Sequence, residues 1–471
     1  MHFEYGRTQR VNRFSWRLRA LLLSTLSVLS VSPPAHTQPL DQAPTPFEQQ
    51  TLPPGREPGI APLQQSPVQP PFSPLFGPYT PPATEVPVTQ PSGPPPTMTR
   101  GAKAQLPTDQ RERLLFTPSI LVDESYTDNV FLDNDFKRSD FITSFTPGLL
   151  LGFRLPDFGV RFGYTFTSEI YAKETQLTDA LARWGASVAA FYDPTPRLRI
   201  DVAAEYFEDN STTASGIAGV STGRTQSRGA GASPTLTWRY DPVTTLQLRA
   251  AWYTQSFDQD QFTNVPLNTY DTYTFSPIIA RRITPSLTGT FQYQYLFSDV
   301  ENGQNVEYHL LLPGVIYQFA PDFTVGLNAG PQITTQGQTG TTFAGQFNLT
   351  KTFSWGALGL NASRAEAPTG GIGGSAETNS VGMSATVTNL LLRGLTVSLN
   401  PYYTNSVGSG SLGTTNSINL QVTATYPLTR WLVAFLAYNY FNQRTSGTDL
   451  NNIDANRVTA GVQLFDVLRL R

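Results

Sequence analysis

In the stretch GVRFGYTFTSEIYAKE, residues 159–174, Val160, Phe162, Tyr164, Phe166, Ile170 and Ala172 hold even positions, while Arg161, Thr165, Thr167, Glu169 and Lys173 hold odd ones. Successive side chains of a strand project to opposite faces, so a long run with oil on one side and water on the other is a β-strand lying between two media. The pattern returns in RLRIDVAAEY from Arg197, LTGTFQYQYLF from Leu287, LTVSLNPYY from Leu395 and INLQVTATY from Ile418. No other feature restricts the fold of this chain so strongly.

The links between these strands alternate in length. Tight ones such as LPDFG (155–159), YDPTPRL (192–198), YDPVTTL (240–246) and FAPDF (319–323) carry Pro and Asp, which preset turn geometry. Between them lie long polar runs such as YTDNVFLDNDFKRSD, FEDNSTTASGIAGVSTGRTQS and NQRTSGTDLNNIDAN. Eight tight links and nine long ones imply 18 strands, with 16 as the reserve, in the rhythm of an outer-membrane barrel with periplasmic turns and extracellular loops. A soluble sandwich fits poorly, because open sheets rarely exceed about ten strands without closing or splitting. In lipid a sheet must close to satisfy its edges. Tyr206, Tyr295, Tyr403 and Tyr440, near the ends of apolar faces, suit an interfacial aromatic girdle. The expected fold is all-β: a membrane-spanning, antiparallel, up-and-down barrel over residues 110–471, both termini periplasmic.

Residues 1–37 read as a secretory signal peptide. Arg7, Arg10, Arg13, Arg17 and Arg19 precede the apolar run ALLLSTLSVLSVS, and Ala35 and Thr37 supply small residues for cleavage. Residues 38–105 are Pro-rich and poor in β-branched or charged residues, as in TLPPGREPGIAPLQQSPVQPPFSPLFGPYTPP. Such a segment cannot bury enough apolar surface to offset its ordering entropy, so it is expected to be a disordered periplasmic tether or recognition strip. Barrel prolines form a second pattern: Pro234, Pro277 and Pro313 each precede a turn proline by eight residues, and Pro147 precedes Pro156 by nine. A ring of bulges or weakened pairing is expected there, since proline cannot donate to a ladder.

Composition bounds the chemistry. The chain has no cysteine, which removes disulfides, thiolate metal sites and cysteine nucleophiles. Its 32 basic and 35 acidic side chains balance closely, so no nucleic-acid partner is expected. Beyond the leader the sole histidine is His309, in VEYHLLLPG, where Tyr308, Leu310 and Leu312 read as lipid-facing and Glu307 and His309 as lumen-facing. That pair lacks the oriented nucleophile a hydrolase needs, and the expectation is no enzymatic activity. Asp128, Asn129, Asp133, Asn134 and Asp135 lack the glycine and the ligand spacing of a calcium loop, so neither metal nor cofactor is expected.

Function then falls to the lumen. Arg161, Lys173, Arg197, Arg199 and Arg249 are inward candidates, set against Glu169, Asp201 and Glu205. Gln292 and Gln294 join Glu307 and His309 as further lining candidates. The signs mix, which predicts weak ion selectivity, and abundant inward Thr, Gln, Asn and Ser suit neutral hydroxyl-rich solutes.

The run YTDNVFLDNDFKRSDFITSFTPGLLLGF, Tyr126 to Phe153, resembles the opening hairpin of the bacterial outer-membrane β-barrel porin 2 family: an acidic-Asn pair, a short apolar word, a polar loop, then Ser-Asp-Phe and a Pro-Gly strand. The resemblance implies an outer-membrane barrel associated with exopolysaccharide systems and carries no catalytic residues. The partners it implies are outer-membrane lipid, the barrel assembly machinery, and a polysaccharide with periplasmic export components reached through residues 38–100. The ending FDVLRLR departs from a terminal aromatic, with Phe465 six residues from the end, so either the assembly signal is shifted inward or another feature is read. Two functions are compatible with these features: a porin-like channel for small hydrophilic solutes or polysaccharide export, and a non-conducting anchor or display protein whose tail binds periplasmic partners. The sequence leaves the oligomeric state open.

Overall fold

The structure is a computed structural model that describes residues 114–135, 137–209, 226–258, 267–336, 339–369, 372–408, 413–447, 452–466 and 468–470. The expected leader (1–37), the Pro-rich segment (38–105) and most of the long loop at 208–227 lie outside the described residues.

The strands are β1 (Leu114–Thr127), β2 (Asp140–Arg154), β3 (Phe158–Tyr171), β4 (Asp179–Thr195), β5 (Leu198–Asp209) and β6 (Gln226–Arg239), then β7 (Thr244–Asp258), β8 (Tyr270–Arg282), β9 (Leu287–Val300), β10 (Val306–Ala320), β11 (Phe323–Gln336) and β12 (Gly340–Phe353). They continue as β13 (Gly356–Pro368), β14 (Ser375–Thr388), β15 (Thr396–Gly408), β16 (Thr414–Pro427), β17 (Leu432–Ser446) and β18 (Ile453–Phe465), with a short β19 (Leu468–Leu470). Each pairs antiparallel with its sequence neighbours, and β1 pairs with both β2 and β18, so the eighteen long strands close into a barrel as the alternating links require. β19 resumes the β1 register of β18, and Pro118 faces the break between them, where Asp466 N–H still reaches the Pro118 carbonyl at 3.3 Å.

The tight links do what their residues dictate. In the β6–β7 turn the Asp241 carboxylate accepts the backbone N–H groups of Val243 (2.7 Å) and Thr244 (2.6 Å). Those bonds favour the charged form and hold the Asp241 carboxyl below its usual range.

Pro147, Pro234, Pro277 and Pro313 pair with Ile120, Val202, Leu248 and Phe291 on the preceding strand, and each sits in a gap of the ladder to the following strand. Register is unchanged across the gaps: Phe145 faces Ser168 and Gly148 faces Thr165 on either side of Pro147. Each proline therefore deletes a donor without inserting a residue. The expected bulges fall elsewhere, at Thr167/Glu169, Tyr192/Thr195, Glu307/Tyr308 and Gln318/Ala320, near strand ends where a bend disturbs less packing.

Because directly paired residues share a face, register assigns every side chain to one side of the wall. The outer face carries Val122, Phe145, Val188, Val202, Ile279, Val381 and Leu436, all exposed. Aromatic rings collect on it at two heights. Near the long loops lie Tyr126 with Phe141 (5.1 Å) and Trp184 with Tyr206 (4.9 Å); near the tight turns lie Trp238 with Tyr240 (5.4 Å) and Phe353 with Trp355 (4.7 Å). On β4, Trp184 and Tyr192 are eight residues apart, about 26 Å along the strand at ~3.3 Å per residue. At the usual strand tilt of about 40° the belts stand about 20 Å apart in height, on the scale of the ~25 Å apolar band of membrane barrels.

Candidate functional site

The other face of the closed wall looks into the barrel, and its charges are unevenly placed. Among the described residues, every Asp, Glu, Lys or Arg at an inner alternation position belongs to β18 or β1–β8. From β9 to β17 the inner positions hold amides, hydroxyls and apolar groups, including Gln292, Asn328, Asn348, Asn361, Asn400, Asn419 and Asn439.

The charged arc is also divided along its length. Toward the loops, Arg183 forms a buried ion pair with Glu169, whose other carboxylate oxygen accepts the Tyr171 hydroxyl at 2.8 Å. Asp123 is 2% exposed beside this pair, and across the β1–β18 seam Arg457 Nη2 donates to Ser125 Oγ at 3.1 Å, which in turn contacts Thr459 Oγ1 at 2.8 Å. The β1–β2 loop packs over this knot: Leu132 rests on Ile453 and Ala455, while Val130 and Phe131 rest on Ile142 and Tyr171. Its acidic and amide residues hold the loop itself. Asn129 Oδ1 accepts Asp133 N–H at 3.1 Å, Asn134 Oδ1 accepts Asp454 N–H at 2.8 Å, and Asp140 accepts N–H groups from Lys173 and Glu174. Partial burial pushes the Asp128 carboxyl up, but hydrogen bonds from Asn456 and Lys137 outweigh it and hold that carboxyl below its usual range.

Toward the turns the same arc is half-open. The Phe191 ring lies across Gly159, where a Cβ would overlap it, and two guanidinium groups flank the ring: Arg199 at 4.5 Å and Arg154 at 5.7 Å. Arg199 also pairs with Asp201 (3.0 Å) and Asp193 (3.6 Å). Arg249 Nε donates to Gln247 Oε1 at 3.0 Å, and Gln247 donates to Thr237 at 3.3 Å.

The neutral arc is closed at the loop end by a different device. β12 and β13 stay paired only as far as Gly345 and Arg364, leaving Gly340–Ala344 bonded to β11 alone. Beyond that point β13 crosses the inner side of β11. The Gln332 amide donates to the Glu366 carbonyl (2.7 Å) and accepts the Glu366 N–H (3.0 Å), so a side chain stands in for the missing strand. The Glu366 carboxylate accepts Thr334 Oγ1–H at 2.6 Å and is also bonded by Ser375. Ala365 packs with Leu296, Val306, Tyr308, Leu310, Leu312 and Ala344. At the hairpin tip Gly374 N–H bonds the Gln304 carbonyl at 3.0 Å, and Ile372 packs on a cluster containing Phe207, Tyr253, Tyr270 and Val300. The β13–β14 hairpin thus leans inward as far as residues of β5 and β7.

Of the residues singled out in the sequence, Arg161, Glu169, Arg199, Asp201, Glu205, Arg249, Gln292 and Gln294 lie at inner positions, and Glu169 and Gln294 are buried there. Lys173 lies past the end of β3, with Nζ 3.2 Å from Ser139 Oγ, and Arg197 lies in the β4–β5 turn. Glu307 and His309 are on the outer face, opposite to the sequence reading: His309 Nδ1 lies 2.8 Å from the Tyr293 hydroxyl and Glu307 Oε1 accepts the Tyr295 hydroxyl at 3.0 Å. Tyr308, Leu310 and Leu312 point inward because the infolded hairpin gives them a packed apolar seat, which a strand lining open water could not offer. Sequence reasoning passed over Arg154, Phe191, Asp193, Gln332 and Glu366. Arg154 and Phe191 were recoverable from alternation; the Gln332 to Glu366 bridge joins residues 34 apart and leaves no periodic signal.

No family model and no curated protein matches the chain. Among solved structures it is similar to OccAB4 of Acinetobacter baumannii (TM-score 0.43, 13% identity, 76% of this chain and 100% of that one). It is also similar to OccK5 (OpdH) of Pseudomonas aeruginosa (0.41, 13%, 74% and 98%) and a BenF-like porin of Pseudomonas fluorescens Pf-5 (0.40, 12%, 75% and 99%). Likenesses at this level transfer no substrate or activity, and the functional reading rests on the chain's own residues.

Proposed function

We propose that this chain is a porin-like channel of the bacterial outer membrane that passes small hydrophilic solutes. The observation that carries the reading is the division of the wall: a closed barrel coated by exposed Val, Leu, Ile and Phe between two aromatic belts, with arginines, carboxylates, amides and hydroxyls inside. Closure satisfies the backbone without water, which is the condition for a sheet to sit in hydrocarbon. Barrels of about 16–18 strands are wide enough to leave an aqueous path. The half-open turn end supplies one side of that path, and the β1–β2 loop with the β13–β14 hairpin narrows the other. The amide and hydroxyl groups of β9–β17 suit hydroxyl-rich solutes, and the resemblance of Tyr126–Phe153 to the β-barrel porin 2 family favours a polysaccharide among them.

The packed loop end favours a second reading, a non-conducting anchor whose Pro-rich segment binds periplasmic partners. Single-channel recording in planar bilayers separates the two. Discrete current steps, with or without residues 38–105, support the channel, and block by added polysaccharide supports export. Inserted, folded protein that gives no steps supports the anchor.

A further inference from the structure

We propose that the turn-end half of the charged arc is an anion-recruiting vestibule that favours small hydroxylated solutes bearing an oxyanion, that is, sugar acids and sugar phosphates. The proposal rests on the channel reading above. Its basis is the balance of charge at this end. Asp193 and Asp201 are both engaged by one guanidinium, Arg199, at 3.6 and 3.0 Å. Arg154, Arg239 and Arg282 lie at inner positions of β2, β6 and β8 and form no ion pair among the described residues. Arg282 Nη2 donates to the Pro242 carbonyl at 2.9 Å, a neutral acceptor. Arg154 meets the Phe191 ring 5.7 Å away, which orients the guanidinium along the wall without neutralising it. Among the described residues, no carboxylate faces these groups from an inner position of β9–β17.

Lipid phosphate is not the partner for which they are placed. Alternation turns Arg282 inward with Ala280, while its neighbour Arg281 is on the outer face with Ile279. At the loop end the balance differs: Asp123 and Glu169 are each 2% exposed and lie within the knot with Arg183, so they shape the wall more than they meet a solute. Among inner strand positions, exposed cation excess is therefore concentrated toward the turns. Low-dielectric walls lined by one sign of charge focus the field and raise the local concentration of counter-ions. Arginine adds geometry, since its planar fork matches carboxylate and phosphate oxygens two at a time. Gln247, Thr235 and Thr237 on the same arc offer hydrogen bonds to hydroxyls beside the anion.

The test is the reversal potential of the full-length protein in planar bilayers under a tenfold KCl gradient at low salt. The expected result is a chloride-to-potassium permeability ratio of about 3 or more, because fields of this kind act over a Debye length of ~10 Å at 0.1 M. The Arg154→Gln/Arg239→Gln/Arg282→Gln variant should bring the ratio close to one. Galacturonate and glucose 1-phosphate should each reduce chloride current at concentrations where glucose has no effect; if only one does so, that oxyanion is the preferred group. Should the triple variant fail to insert, wild-type protein at 1 M salt decides instead, since screening must collapse the ratio. Conducting protein with cation preference, or an anion preference unmoved by both the substitutions and salt, overturns the vestibule and leaves the channel standing. Absence of conductance overturns the channel and the vestibule with it.

Discussion

Strands β18 and β1–β8 and strands β9–β17 form one wall with one outer coat, yet they fill the barrel differently. On the first arc the loop end is locked by ions: Glu169 with Arg183, Arg457 against Ser125, and the β1–β2 loop lying over them. On the second it is locked by hydrogen bonds and packing rather than by an ion pair: Gln332 bonded both ways to the Glu366 backbone, the Glu366 carboxylate held by the Thr334 and Ser375 hydroxyls, and a hairpin packed on Tyr308, Leu310 and Leu312. The outer coat has a single solvent to satisfy, so it is uniform. The inner face is free to vary, so differences between the arcs report on what the interior does.

The largest expected effect is on the ionic lock. Arg183→Ala leaves Glu169 buried without its cation and should destabilise the barrel by about 3–5 kcal/mol in urea unfolding from lipid vesicles, as breaking a buried pair does elsewhere. A loss below about one kcal/mol, the scale of an exposed pair, would mean that the loop end of this arc is wet. Next come substitutions on the coat. Val188→Arg on the charged arc and Val381→Arg on the neutral arc, 41% and 49% exposed, should each cost about 2–4 kcal/mol if both face hydrocarbon. Ser187→Arg, one residue away on the inner face, should cost little. Unequal costs for the two valines would break the claim of a uniform coat.

Gln332→Ala removes the amide that stands in for β12 and exposes buried backbone groups of Glu366, a loss of about 1–3 kcal/mol. The same variant should quicken hydrogen exchange at 365–367 and add flicker to single-channel traces, whereas a silent trace would mean that the hairpin is held by its tip alone. The smallest effect is expected from pH at the β1–β2 loop. Asp128 has a depressed carboxyl in the folded state, so its contribution is present above the ordinary carboxylate range and is lost as pH falls through the folded value. Lys137 lies 3.1 Å away and both groups are partly solvated, which limits the pair to about 0–1 kcal/mol. Asp128→Asn should remove that acid-side slope, and an undiminished slope would assign it to other carboxylates.

Much of this wall was legible because the pattern has the period of the structure. β3, β5 and β9 alternate strictly, and their faces follow from Phe162, Val202 and Phe291 alone. The reading failed where apolarity ceased to mean lipid. On β10 the oiliest side chains, Tyr308, Leu310 and Leu312, turn inward, since a hairpin from β13 covers them, and Glu307 and His309 turn outward to tyrosine hydroxyls. Nothing local announces that cover. Lys173 and Arg197 kept the phase of their strands but lie beyond the ladder ends, a boundary set by pairing rather than by residue type. The segregation of charge into one arc was hidden for a similar reason: Arg154, Arg199 and Arg282 come onto one arc only once the strands are side by side.

The most direct test of the account is residue-by-residue accessibility along β3. The protein has no cysteine, so single cysteines at 160 through 166 can be placed on a silent background, folded into vesicles, and exposed to a charged maleimide and to a lipid-borne quencher. Labelling should alternate: positions 161, 163 and 165 should react with the water-soluble reagent, and positions 160, 162, 164 and 166 should resist it and be quenched from the lipid. Uniform labelling of all these positions, or quenching at both parities, would contradict a sealed wall with hydrocarbon on one side and water on the other.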